Sequence, residues 1–161
     1  MKRAVASSAY AAFLVGVAGA LAWATGRPFV FPSLGPTAFV LATVRDGRTL
    51  DARRVVGGHA IGVASGLAAY HAIAAGSVLT APTSAFATAK LGLGAAGVAS
   101  VALTAGGMLA TDTVHPPAVA TTLIVSLGLL STPVEGGIVL VAVAVLYAVH
   151  VATPSPALAS V

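Results

Sequence analysis

Residues Phe31 to Val44 read FPSLGPTAFVLATV, and the architecture of the whole chain turns on this stretch. It is largely apolar yet too short to cross about 30 Å of hydrocarbon, which takes about 20 helical residues. Pro32, Gly35 and Pro36 all fall in its first half. Proline suits the first turn of a helix and breaks a helix interior, so the segment is expected to enter extended and to become helical only from about Pro36. Such irregular backbone is tolerated at membrane depth only where protein or a water-filled cavity surrounds it. A second stretch, VHPPA at Val114 to Ala118, has the same character and precedes another short apolar segment.

The surrounding composition names the solvent. Of 161 residues 58% are hydrophobic and only 7% charged, whereas a soluble domain carries about 25% charged residues. Acidic residues are confined to Asp46, Asp51, Asp112 and Glu135, which leaves long stretches free of carboxylates, as hydrocarbon requires. The formal charge of +4 does not point to nucleic acid, because Arg45, Arg48, Arg53 and Arg54 cluster between two apolar segments and read as a topology signal. Cysteine is absent, so disulfides, thiolate metal sites and cysteine nucleophiles are excluded together.

Six segments follow from the hydropathy pattern. The first runs from about Ala4 to Thr25, with Trp23 as an interfacial anchor, and is expected to be an uncleaved helix closed by Gly26, Arg27 and Pro28. The half-length second segment is followed by a third over about Val55 to Thr80. Ala81 to Ala87 should be a surface connection, and Lys90 an interfacial residue. A glycine- and alanine-rich fourth segment covers about Leu91 to Thr111, where small residues allow close helix approach. The fifth, Pro117 to Ser131, is again half-length. Thr132 to Gly137 reads as a turn, Ile138 to Val151 as a short sixth span, and the tail from Thr153 as a loop. Lys2 and Arg3 lie two segments from the basic loop, which places both on the cytoplasmic side and Arg27 and Lys90 outside.

The order long span, proline-broken half span, further span occurs twice, over about residues 4–80 and 91–151. GPTAFVLATV (Gly35 to Val44) and HPPAVATTLIV (His115 to Val125) occupy matching places. Three segments per repeat is an odd number, so the second copy should lie inverted relative to the first, giving an all-α membrane bundle of two inverted repeats with two proline-broken half helices. A half-helix N-terminus within the membrane presents unpaired N–H groups and the positive end of its dipole, a setting for an anion. Ser33, Gly35, Pro36 and Thr37 at the first break, and Thr111, Thr113, His115, Pro116 and Pro117 at the second, are the candidate binding residues. The competing reading is that both breaks are packing kinks.

Ionisable residues inside apolar segments need partners. His59 lies among Gly57, Gly58 and Gly62, which would let a second backbone approach its imidazole; it either bonds a loop carbonyl or lines the passage of substrate. His71 and His150 read as packing or interfacial residues. Asp112, three residues before His115, would cap the half helix, orient His115 or take part in proton coupling. No metalloprotease pair, Walker loop or nucleophile elbow is present, so neither an enzyme, a metal centre nor a cofactor is expected.

FPSLGPTA at Phe31 to Ala38, RRVVGGH at Arg53 to His59 and HPPA at His115 to Ala118 resemble, in order, the three motif regions of the HPP family of small integral membrane proteins, over about residues 4–152. The resemblance implies a membrane helix bundle and, from plastid and cyanobacterial members, nitrite transport. The chain departs from the family at Pro36, where a small residue is usual, and at Asp51 to Arg54, where only Arg53 matches a Gln-Pro-Arg-Asn pattern. The combined expectation is a permease or channel for a small monovalent anion in the lipid bilayer, held between Gly35–Thr37 and His115–Pro117, with Arg54 and His59 on the inner approach and Asp112 and Thr113 nearby. A homo-oligomer is expected from the small-residue faces. The alternatives are a non-transporting sensor or assembly module and a proton or cation path.

Overall fold

The computed structural model describes residues 1–44 and 51–153, so Arg45, Arg48 and the tail from Pro154 lie outside the described residues. Among the described residues the chain is all-helical. The helices are α1 (Lys2–Thr25), α2 (Leu34–Thr43), α3 (Ala52–Ala69), α4 (Thr88–Thr111), α5 (Pro117–Ser126) and α6 (Pro133–Ala152), and α3 continues into a wider π turn over Tyr70–Ala74. By length and composition α1, α4 and α6 can each cross a membrane, while α2 and α5 are the two short apolar helices.

Helix ends explain where hydropathy misjudged the boundaries. The third segment stops at Ala74 and not Thr80: Gly76 takes a positive φ of 81° and its N–H donates to the Tyr70 hydroxyl. The fifth ends at Ser126 and not Ser131, because Gly128, at φ 79°, turns the chain while its N–H and that of Leu129 reach back to the carbonyls of Val125 and Ile124. This is the glycine stop that favours a left-handed residue just past a helix. The connection before α4 is tied down by Leu79 N–H on the Leu127 carbonyl and by the Lys90 ammonium on the carbonyls of Val78 and Leu79.

The largest correction concerns Thr132 to Gly137, which is no turn but the start of a full-length α6. The Thr132 hydroxyl accepts from Glu135 N–H at 3.2 Å, Glu135 Oε2 accepts from Thr132 N–H at 2.9 Å, and Pro133 occupies the first helical turn. This reciprocal pair satisfies two donors at once. Thr132→Ala should therefore lower stability by about 1 kcal/mol, seen as a lower unfolding midpoint in detergent; an unchanged midpoint would mean that the cap is dispensable.

The main apolar core joins α1, α2 and α6 through Leu14, Leu34, Leu41, Val139, Val143 and Leu146, with Val55 and Val63 of α3. A smaller cluster of Ala69, Tyr70, Leu93 and Ala96 binds the end of α3 to α4. His150, near the end of α6, is buried, and its Nδ1 lies 3.0 Å from the Tyr10 hydroxyl, which fastens α6 to α1. His71 remains exposed beside the Tyr70 ring. In the centre α3 packs against α4, α5 and α6. Its glycines allow this: a Cβ on Gly58 would lie 2.9 Å from His115 Cβ, and one on Gly62 would lie 2.7 Å from the Ala118 carbonyl oxygen.

A buried hydroxyl and imidazole cluster where the half helices meet

Ser33 immediately precedes α2, and its hydroxyl makes no cap within its own helix. It reaches Thr121 of α5 instead, at 2.6 Å. One turn further along α2, Thr37 Oγ1 lies 3.4 Å from His115 Nε2, just before α5. Ser33 with Thr121 and Thr37 with His115 define an antiparallel crossing in which the first turns of the two half helices lie side by side.

His59 of α3 completes the cluster. Its Nε2 is 3.0 Å from Thr37 Oγ1 and its Nδ1 is 2.7 Å from Thr121 Oγ1, while its ring centroid is 5.3 Å from that of His115. Ser33, Thr37, His59, His115 and Thr121 are all fully buried. The neighbouring pair of Thr104 and Thr122, 2.6 Å apart, continues the polar seam towards α4.

The proton positions follow from counting donors. Thr37 Oγ1 lies 3.0 Å from the Ser33 carbonyl oxygen, which can only accept, so the single Thr37 proton is committed there. Thr37 oxygen must then accept from both imidazoles, so His59 and His115 each carry hydrogen on Nε2. In neutral His59 the Nδ1 lone pair accepts from the Thr121 hydroxyl, and Thr121 accepts from Ser33. One directed chain thus runs from Ser33 through Thr121 and His59 to Thr37 and back to the Ser33 carbonyl. The neutral His115 Nδ1 is left as a lone pair, buried and without a hydrogen-bond partner among the described residues.

Backbone donors contribute less than the sequence suggested. Pro36, Pro116 and Pro117 have no N–H. Leu34 and Thr37 donate to the carbonyls of Phe31 and Ser33, and Ala118 and Val119 to those of His115 and Pro116. Among the described residues this leaves Gly35 N–H as the first-turn donor of α2 without a backbone partner. Gly35, Pro36, Pro116 and Pro117 line a different feature, an open groove of about 590 Å³ shared with Phe39, Val40 and Ala120. The polar chemistry therefore belongs to side chains on one side of the crossing, and an apolar groove lies on the other.

Asp112 does not cap α5. Pro116 holds the N-cap position with no side-chain hydrogen bond, while Asp112 ends α4 at a positive φ of 52°. Its carboxylate accepts from Arg54 Nη2 at 2.6 Å. The Arg54 side chain is 12% exposed and that of Asp112 64%, so the pair fastens the start of α3 to the end of α4. Arg53 adds a bond to the Thr111 carbonyl at 2.7 Å, and Asp51 caps α3 through Arg54 N–H at 2.7 Å. Thr113 is buried and bonds Thr111 at 2.8 Å, outside the cluster.

Of the expected site residues the structure thus brings together Ser33, Thr37, His59 and His115, and sets Gly35, Pro36, Pro116 and Pro117 on the groove and Arg54, Asp112 and Thr113 towards one end. Thr121 was missed. No local spacing joins it to its partners Ser33 and His59. Among the described residues no three His, Cys, Asp or Glu side chains gather into a metal-binding group. His115 Nδ1, the one uncommitted imidazole nitrogen of the cluster, does not amount to a ligand set.

No curated protein and no solved structure matches the chain. A family model described as the HPP transmembrane region matches residues 1–155. With its proline breaks, its glycine-lined α3 and its buried histidine of the His-Pro-Pro motif, the chain belongs to the HPP transmembrane family.

Proposed function

We propose that the chain moves a small monovalent anion, nitrite by family resemblance, through the crossing of α2 and α5, and that it is neither an enzyme nor a nucleic-acid binder and needs no resident metal or cofactor. The observation that carries this reading is the buried cluster itself. Ionisable and hydroxyl side chains inside a membrane bundle are costly and mark pathways for ions or protons, and here five of them meet where two half-helix N-termini lie side by side. Both dipoles present their positive ends at this level. Ser33, Thr37 and Thr121 hydroxyls and the imidazole N–H groups are the donors that an anion would take over.

The antiparallel α2 and α5 accord with two inverted three-segment repeats. Arg3 and Thr43 line one groove, so the start of α1 and the end of α2 share an end of the bundle; an excess of basic residues there favours a cytoplasmic N-terminus. The open groove beside Pro36 and Pro117 leaves room for a second copy of the chain, consistent with a homo-oligomer.

Two measurements test the proposal. Millimolar nitrite should raise the unfolding midpoint in detergent, because a ligand that binds only the folded state stabilises it, whereas sulfate and phosphate should not. Vesicles containing the protein should take up nitrite faster than empty ones. No midpoint shift and no added flux would favour a non-transporting module, and flux of cations alone a cation path.

A further inference from the structure

Among the described residues the crossing contains no fixed cation that can neutralise an anion. Arg54 is engaged by Asp112 towards the end of the bundle, and a bare anion held among Ser33, Thr37 and Thr121 would be a buried charge without a counter-charge, an expensive state. The groups around His115 are few. His59 faces it from α3. Thr37 of α2 and Thr121 of α5 do not ionise, and from α4 the side chain beside this part of α3 is Met108. Among the described residues the two imidazoles are therefore the titratable groups of the crossing, and of their four nitrogens only His115 Nδ1 is without a hydrogen-bond partner there.

We infer that His115 carries a proton together with each anion, so that the species crossing the bundle is a neutral pair. This rests on the proposed anion transport and specifies its coupling. The proton adds to the Nδ1 lone pair of neutral His115, giving an imidazolium whose new Nδ1–H donates to the anion. On release, the same N–H bond breaks, the proton leaves with the anion, and the lone pair returns. Water is the other partner in both steps: an O–H bond of hydronium breaks as Nδ1 takes up the proton, and an O–H bond to water forms when Nδ1 gives it up beside the departing anion. Protonation at this atom leaves the Nε2–H bond to Thr37 in place, so proton uptake by itself does not break the chain through His59 and Thr121; only the anion, as it takes over their donors, does. The ring of His59 at 5.3 Å limits the stoichiometry, because two like charges at that distance in a desolvated site oppose each other. One proton accompanies one anion.

The test uses the full chain in vesicles, with nitrite uptake and internal pH followed together and the leak of empty vesicles subtracted. The expected result is one proton delivered per nitrite. Initial uptake should be unchanged by a potassium–valinomycin potential of either sign and raised by up to about tenfold per unit of external acidification, the limit set by one proton per turnover. His115→Gln, which keeps a hydrogen-bonding side chain but cannot take up the proton, should lose at least about tenfold in flux together with the acid response. Uptake that follows the membrane potential and ignores the pH gradient would overturn the inference and leave anion transport standing. So would a folded His115→Gln protein with the wild-type acid response. Absence of protein-dependent nitrite flux would remove both. Should the variant fail to fold, the wild-type potential and proton measurements decide alone.

Discussion

Gly62→Ala should lower the stability of the solubilised protein by about 3 kcal/mol, the upper part of the range for forcing extra volume into a packed site. The added methyl would lie 2.7 Å from the Ala118 carbonyl oxygen and 2.9 Å from Thr122 Oγ1. The first of these is backbone and cannot rotate away, so α3 and α5 must separate. Thr122 then loses its 3.1 Å bond to the Gly62 carbonyl. Gly66→Ala should behave alike, since its Cβ would meet Val125 Cβ at 2.7 Å. Gly16 and Gly19 of α1 are the internal controls: nothing lies within 4 Å of a Cβ at either position. Alanine there should be neutral or stabilising by up to about 1 kcal/mol. Unfolding midpoints of the four variants measured side by side decide the matter, and equal midpoints for Gly62→Ala and Gly19→Ala would refute the packing argument.

Thr37→Val has the second large effect, for a reason unrelated to size. Valine fills the same volume, but both Nε2–H groups then point at a methyl, and the Ser33 carbonyl loses the hydroxyl 3.0 Å away. A buried donor left without an acceptor costs about 1–3 kcal/mol, so a loss of about 3 kcal/mol is expected, with nitrite flux falling to the level of empty vesicles. Thr37→Ser restores the hydroxyl and should recover most of the stability. If Thr37→Val melts like the parent, the hydroxyl is not the centre of the cluster and the imidazoles find other partners.

The sequence already located the two breaks, because proline and glycine act locally and their consequences do not depend on distant partners. Pro36 stands in the first turn of α2 and Pro117 opens α5. Hydropathy also placed α1 and α4 to within a few residues. It failed where polar atoms, and not apolarity, fix the ends: the Thr132 and Glu135 pair began α6 five positions before Ile138, although a threonine followed by glutamate three residues later is itself a start signal. Thr121 was hidden for a different reason. Its partners Ser33 and His59 lie 88 and 62 positions away, and no spacing rule connects them. Asp112 was assigned to the helix after it, whereas its left-handed backbone ends the helix before it.

The surroundings of α2 differ from one flank to the other, and this has a mechanical meaning. Towards α1 it packs closely, with Leu34, Ala38 and Leu41 in one apolar core with Tyr10, Leu14 and Ala18, and separating such a face forfeits its dispersion contacts together. Towards α3 and α5 the links described above join oxygen and nitrogen atoms, and a hydrogen bond exchanged for another of similar quality changes little in free energy. The first flank is stiff and the second is compliant. A displacement of α2 would therefore carry α1 with it and open along the polar side, where an arriving solute supplies replacement bonds as the old ones break.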